Sequence, residues 1–164
     1  MVSFTLRPAT VDDAGPMSRM HLASMRESYS HVLPPEWFDA HDARLPQEIE
    51  RRRESMAEGR FPVLAVEDDG SVVGLARAVG RREPGQPAPL ELTMIYVLRR
   101  VYGQGVGQAL LDAAVGSAPA FLWVLEDNPR ARAFYRRNGF VPDGTRALQP
   151  ESWNNLPKIR MVRP

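Results

Sequence analysis

The sequence predicts one α+β domain, and three observations carry that expectation. Short apolar β-type runs and helix-period segments interleave along the whole chain. An Asp-Gly turn joins two of the β-type runs, and a glycine-rich turn separates a third run from a helix-forming segment. The chain has 164 residues, 43% apolar and 25% charged. A domain of that size buries roughly 70% of the surface its unfolded chain exposes, so no disulfide or metal staple is needed.

From the N-terminus, Phe4-Thr5-Leu6-Arg7 alternates as a short strand closed by Pro8. Thr10 followed by Asp12 and Asp13 is a helix-start signature. Met17, Met20, Leu22 and Met25 then recur near helical spacing, which predicts a helix to about residue 29. Pro34-Pro35 predicts a break, a short helix through Trp37-Phe38 and a separate charged helix over residues 47–57, stopped at Gly59. Residues 61–67 and 71–79 read as strands of a hairpin around Asp68-Asp69-Gly70. Residues 81–89 read as a surface loop and 90–98 as a strand. Next come the glycine turn, a helix from 108 to 115, a strand over 120–125 and a helix over 130–138. The helix is capped by Asn128-Pro129 and ended by Gly139, and two last strands flank a polar loop carrying Trp153.

Composition excludes several functions. With no cysteine there is no disulfide framework, thiolate metal site or cysteine nucleophile. Three histidines leave metal chemistry poorly supplied, so no metal is expected. A formal charge of +1 argues against a general nucleic-acid binder, although every basic residue except Lys158 is arginine. No apolar run approaches the ~18 residues of a membrane span, and the N-terminus lacks a signal-peptide pattern. The default compartment is therefore the cytoplasm. The serines have no Gly-x-Ser-x-Gly context, so a covalent acyl-serine route is not indicated.

Gly103, Gly105 and Gly107 stand at alternate positions where a strand turns into a helix. Removing Cβ there lets backbone N–H groups approach an anion at the positive helix terminus. A dinucleotide fingerprint and the Lys-Ser/Thr ending of a nucleotide loop are both absent. Three glycines alone serve a structural turn as readily as a ligand.

Two motifs together add more. Arg100-Val-Tyr-Gly103-Gln104-Gly105, with Val106 and Gly107 behind it, is followed after one helix and one strand by Asn128-Pro-Arg-Ala-Arg-Ala-Phe-Tyr135-Arg-Arg-Asn-Gly139-Phe140. The chain thereby resembles the GNAT superfamily of acyl-CoA-dependent N-acetyltransferases, and the order of elements fits from about residue 3 to the end. The resemblance implies a mixed, mostly antiparallel sheet of about seven strands flanked by helices, with a splayed parallel strand pair. It implies acetyl-CoA as co-substrate, a small-molecule or peptide amine as acceptor, and room for a homodimer. Two positions depart from the family pattern: Arg99 stands where proline is common, and Tyr102 where a basic residue is common. Arg99 or Arg100 remains a candidate for a phosphate.

The resemblance also implies roles. Backbone groups of the glycine turn hold the pyrophosphate, and a bulge near Ile95 to Val97 frees the N–H of Val97 for the thioester carbonyl. Asn128 contacts the pantetheine arm and Tyr135 protonates the departing thiolate. Glu91, on the strand feeding the turn, polarises a water that takes the amine's proton, since such amines have a pKa of ~10. Each residue has a plainer reading beside this one: Glu91 as a strand end at the solvent edge, Asn128 as a helix cap, Tyr135 as packing beside Phe134. Tyr29, His31, Trp37, His41 and Trp153 are candidate walls of the acceptor pocket, or ordinary packing. A catalytically silent acyl-CoA-binding sensor is the alternative function.

Overall fold

A computed structural model describes all 164 residues. In chain order the elements are β1 (Phe4–Pro8), α1 (Ala14–Tyr29), α2 (Pro35–Ala57), β2 (Val63–Glu67), β3 (Val72–Gly80), β4 (Leu90–Val97), α3 (Val106–Val115), β5 (Ala120–Leu125), α4 (Pro129–Arg137), β6 (Val141–Leu148) and β7 (Pro157–Arg163). The seven strands form one mixed sheet in the order β1-β2-β3-β4-β5-β7-β6. The β4–β5 pair is parallel, with Leu90, Glu91 and Leu92 opposite Ala120, Phe121 and Leu122. The resemblance implied this sheet and its parallel pair.

Packing divides the chain into two compact units, Met1–Arg77 with Met94–Ala114 and Ala78–Thr93 with Val115–Pro164. In the first unit each strand feeds two apolar layers. Met17, Met20, Met56, Leu64, Val72 and Leu75 pack with Met94 and Tyr96 on one side. Ala65, Val73, Ala76, Val101, Val106 and Leu110 pack with Ile95 and Val97 on the other. A register shift between Ala65 and Val66 explains why Val72 and Leu75, three residues apart, share a face. Gly74 lets α3 lie close to the sheet, because a Cβ there would meet Leu110 Cδ1 at 2.7 Å and the Tyr96 carbonyl at 3.1 Å.

Helix α1 starts as its sequence signature predicts, through a short 3-10 turn at Val11–Asp13. The Asp13 carboxylate accepts from the Thr10 N–H at 2.7 Å and from both terminal nitrogens of Arg7 at 2.7 and 2.8 Å. The Arg7 hydrogen bonds hold its pKa down at about 2. The expected break between two helices at residues 35–57 is wrong, since α2 runs unbroken over 23 residues with Pro46 inside it. Pro46 and Asp42 are both exposed, so the carbonyl that lost its helical donor belongs to the solvent side of the helix. Buried Trp37 and Phe38 near one end and Met56 at the other tie the helix down.

In the second unit β5 and β7 pair antiparallel from Ala120↔Arg163 to Leu125↔Lys158. Phe140, Leu122 and Met161 are its most deeply buried side chains. Arg163 ties the C-terminal strand to the α3–β5 connection, donating from Nη2 to the carbonyls of Gly116 at 2.6 Å and Ala118 at 2.8 Å.

Candidate functional site

The first unit contains the glycine turn. Strand β4 ends at Val97, a 3-10 turn spans Arg99–Val101, and α3 opens at Val106. Gly103 and Gly105 adopt φ of +76° and +84°, and a Cβ on either would meet nothing within 4 Å. The backbone thus takes a conformation that glycine alone adopts cheaply, and it leaves open space at both positions. The Gly105 carbonyl accepts from Ala109 N–H at 2.9 Å, so the helical ladder starts there. The first N–H groups of a helix have no intrahelical acceptor, and glycine at the cap has no side chain to supply one. Val106 is buried, which anchors the helix end that presents those groups.

The side chains around the turn have structural duties. Gln104 Oε1 accepts from the Val2 N–H at 2.6 Å, and its Nε2 donates to the Arg100 carbonyl at 3.1 Å. Arg100 makes two parallel bonds to Glu67, at 2.7 and 2.5 Å. That pairing holds Glu67 below the ordinary carboxylate range and raises the arginine. Arg99 is held by Glu27, whose carboxylate accepts from its backbone N–H at 2.7 Å. The Arg99 guanidinium donates to the Glu27 main-chain carbonyl, so of the two arginines proposed for phosphate only Arg100 has its side chain paired with a carboxylate. The sequence reading missed Glu27 and Glu67, and no local pattern signals them, since they lie 72 and 33 residues from their partners. Ile95 and Val97 point their side chains into the α3-facing apolar layer, leaving the strand backbone as the part of them available for chemistry. Of the expected acceptor walls in this unit, Tyr29 and Trp37 are buried and His31 is exposed. Trp37 stacks on His41 with ring centroids 3.6 Å apart.

The second unit contains the other candidates. Glu91 is largely buried, and its Oε2 accepts from Arg81 Nε at 2.6 Å and pairs with Nη2 at 2.5 Å. The two contacts from one guanidinium fix the carboxylate's orientation. Asn128 caps α4, its Oδ1 accepting from Ala131 N–H at 3.1 Å. Tyr135 is buried on α4 with edge-on contacts to Phe134 and Phe140, at centroid distances of 5.5 and 6.0 Å. Trp153 lies half-buried in the 3-10 turn before β7.

Comparison with known proteins places these features in a wider set. Residues 22–140 match the model described as Acetyltransferase (GNAT) family. The chain is 27% identical over 158 residues to a Mycobacterium tuberculosis protein named "Probable N-acetyltransferase Rv2775", covering 94% of this chain and 90% of that one. It is 30% identical over 132 residues to the Bacillus subtilis protein named "Uncharacterized N-acetyltransferase YuaI", covering 76% and 73%. Among solved structures it resembles the PaiA N-acetyltransferase of Thermoplasma acidophilum, solved with coenzyme A, at a TM-score of 0.71 and 15% identity over 98% of both chains.

Proposed function

The chain belongs to the Acetyltransferase (GNAT) family, and from that premise we propose that it transfers an acetyl group from acetyl-CoA directly to a primary amine of a small molecule, peptide or protein. The observation that carries this reading is the turn at Gly103 and Gly105, with positive φ at both glycines and open space where side chains would stand. Backbone N–H groups of Gly103, Gly105, Val106 and Gly107 form the seat for the pyrophosphate, as anions favour a helix N-terminus, and the Gln104 N–H turns to it from a long 3.4 Å bond to the Val101 carbonyl. Arg100 joins them by exchanging Glu67 for a phosphate oxygen.

The chemistry assigns one task to each remaining residue. The amine nitrogen attacks the thioester carbonyl, whose oxygen gains negative charge and accepts from the Val97 N–H. Losing one such donor typically costs ~3 kcal/mol of barrier. The carbon–sulfur bond then breaks, and the thiolate takes the proton of the Tyr135 hydroxyl. Glu91, oriented by Arg81, accepts the amine's proton through water, and Asn128 steadies the pantetheine arm.

An assay with acetyl-CoA and a panel of primary amines, detecting free thiol, tests the proposal. Thiol release with at least one amine is expected. Thermal stabilisation by acetyl-CoA with no release across the panel would instead support the silent sensor. Glu91→Gln should lower the rate most at low pH, where the amine is hardest to deprotonate. A parallel drop at every pH would remove Glu91 as the base.

A further inference from the structure

Within the first unit, one ion pair stands beside the glycine turn. Arg100 lies on the 3-10 turn Arg99–Val101, three residues before Gly103. Its Nη1 and Nη2 donate to Glu67 Oε1 and Oε2 at 2.7 and 2.5 Å, a fork on both carboxylate oxygens. Glu67 ends β2, and the turn that follows it carries Asp69. Asp69 and Glu27 also feel the charge of Arg100, but both carboxylates are bonded elsewhere. Asp69 Oδ1 accepts from the Ser71 N–H at 2.8 Å, and the Glu27 carboxylate accepts from the Arg99 N–H at 2.7 Å.

The pair is asymmetric. The Glu67 side chain is 14% exposed and the Arg100 side chain 52%. The carboxylate is therefore the fixed member, and the long arginine arm is the one that keeps rotamer freedom. The main chain of Arg100 is pinned to the turn, since Gln104 Nε2 donates to its carbonyl at 3.1 Å. Releasing Glu67 thus takes a swing of one side chain and leaves the turn in place. An ion pair this open to water is weak enough to yield to a group with more charge and more acceptor oxygens than a carboxylate. A pyrophosphate is such a group.

We propose that Glu67 competes with the phosphates of acetyl-CoA for Arg100 and thereby sets how tightly the coenzyme binds. The inference rests on the acetyltransferase reading, in which Arg100 joins the backbone seat. Glu67 neutralises the arginine until a phosphate displaces it, so part of the energy of each phosphate contact goes into breaking the older pair. Donor affinity is then fixed by a residue that need not touch the coenzyme.

Calorimetric titration of acetyl-CoA into the parent, Glu67→Gln, Arg100→Gln and the double variant tests this. Glu67→Gln should lower Kd about twofold to fivefold at low salt, the range set by an exposed ion pair, and Arg100→Gln should raise it. In the Arg100→Gln background the gain from Glu67→Gln should vanish, because no guanidinium is left to contest. Should Glu67→Gln fail to fold, Glu67→Thr carries the comparison. An equal gain with and without Arg100 would show the carboxylate acting on the ligand by its charge alone, which overturns the competition. An unchanged or raised Kd in Glu67→Gln overturns it too, and a raised one would make Glu67 the residue that aims Arg100.

A parallel titration with inorganic pyrophosphate separates this inference from the reading beneath it. Pyrophosphate brings the anionic group of the coenzyme without its acyl arm, and competition predicts the same ranking of the four proteins with either ligand. That ranking with pyrophosphate, alongside no binding of acetyl-CoA by any of the four, would remove the acetyltransferase reading and leave the competition at Arg100 standing. One shared Kd for acetyl-CoA across all four would leave the reading standing and remove the competition. No binding of either ligand would remove both.

Discussion

Two turns from strand to helix, the one after β4 and the one after β5, solve the same problem in opposite ways. Every helix opens with N–H groups that no intrahelical carbonyl can reach. At α4, Asn128 closes one of them with its own side chain, and Pro129 in the first turn removes another donor. At α3 the corresponding turn is built on Gly103 and Gly105, neither of which has a side chain to offer. The α4 turn thus meets two of its opening positions from its own residues, whereas the α3 turn has no side chain at its cap to meet any. Glycine in place of a capping side chain costs a helix only about a few tenths of a kcal/mol. On the proposed function, the difference teaches that the α3 turn is the one with donors to spare for an anion. The α4 turn is shaped to hold a helix, and the proposed role of α4 in the chemistry rests on a side chain further along it, Tyr135.

The largest effect expected from this contrast falls on that side chain. Tyr135→Phe keeps the ring and its edge-on contacts with Phe134 and Phe140 while removing the one proton donor assigned to the thiolate. General acid catalysis is commonly worth a hundredfold or more, so kcat should drop about hundredfold with acetyl-CoA affinity nearly unchanged. Steady-state kinetics and equilibrium binding read the two quantities separately. Unaltered kcat across the accessible pH range would make α4 structural throughout.

A second substitution probes the open turn against a turn of the same conformation with no ligand to hold. Gly105 and Gly70 have φ of +84° and +86°, and a Cβ on either meets nothing within 4 Å. Alanine at each position should therefore cost the same backbone strain, about 1–2 kcal/mol by thermal or denaturant unfolding. Only Gly105→Ala should also raise the Kd for acetyl-CoA, about tenfold or more, because the methyl group intrudes where phosphate oxygens approach the N–H groups. If the two variants lost equal stability and both bound acetyl-CoA like the parent, the glycines after β4 would be turn chemistry alone.

How legible these features were in the sequence follows from the range of the interactions that make them. The hairpin at Asp69-Gly70, strand β5, the α4 cap and the glycine turn rest on neighbours within a few residues, and the reading found them close to their observed bounds. Helix α2 was read as two separate helices from local signals alone, which carry nothing of the buried Trp37, Phe38 and Met56 that tie one continuous helix down. The arginines near the turn were recognised as phosphate candidates. Their partners, Glu27 and Glu67, arrive from α1 and β2 by folding and carry no local signature.

The smallest expected effect tests whether the closed turn is only a cap. Asn128→Ala removes the oxygen that accepts from Ala131 and should cost about 1 kcal/mol of stability. Asn128→Asp keeps an oxygen at that position and adds a charge the helix terminus favours, so it should be as stable as the parent or slightly more so. The pair separates the two duties assigned to this residue, because aspartate preserves the cap but loses the amide's N–H donors. A cap and nothing else predicts parental acetyl-CoA affinity in Asn128→Asp. A contact to the pantetheine arm through the amide nitrogen predicts weaker binding, by about threefold to tenfold, in a protein whose unfolding midpoint has not fallen. That second outcome would soften the contrast between the two turns, since the α4 turn would serve helix and ligand through opposite ends of one side chain.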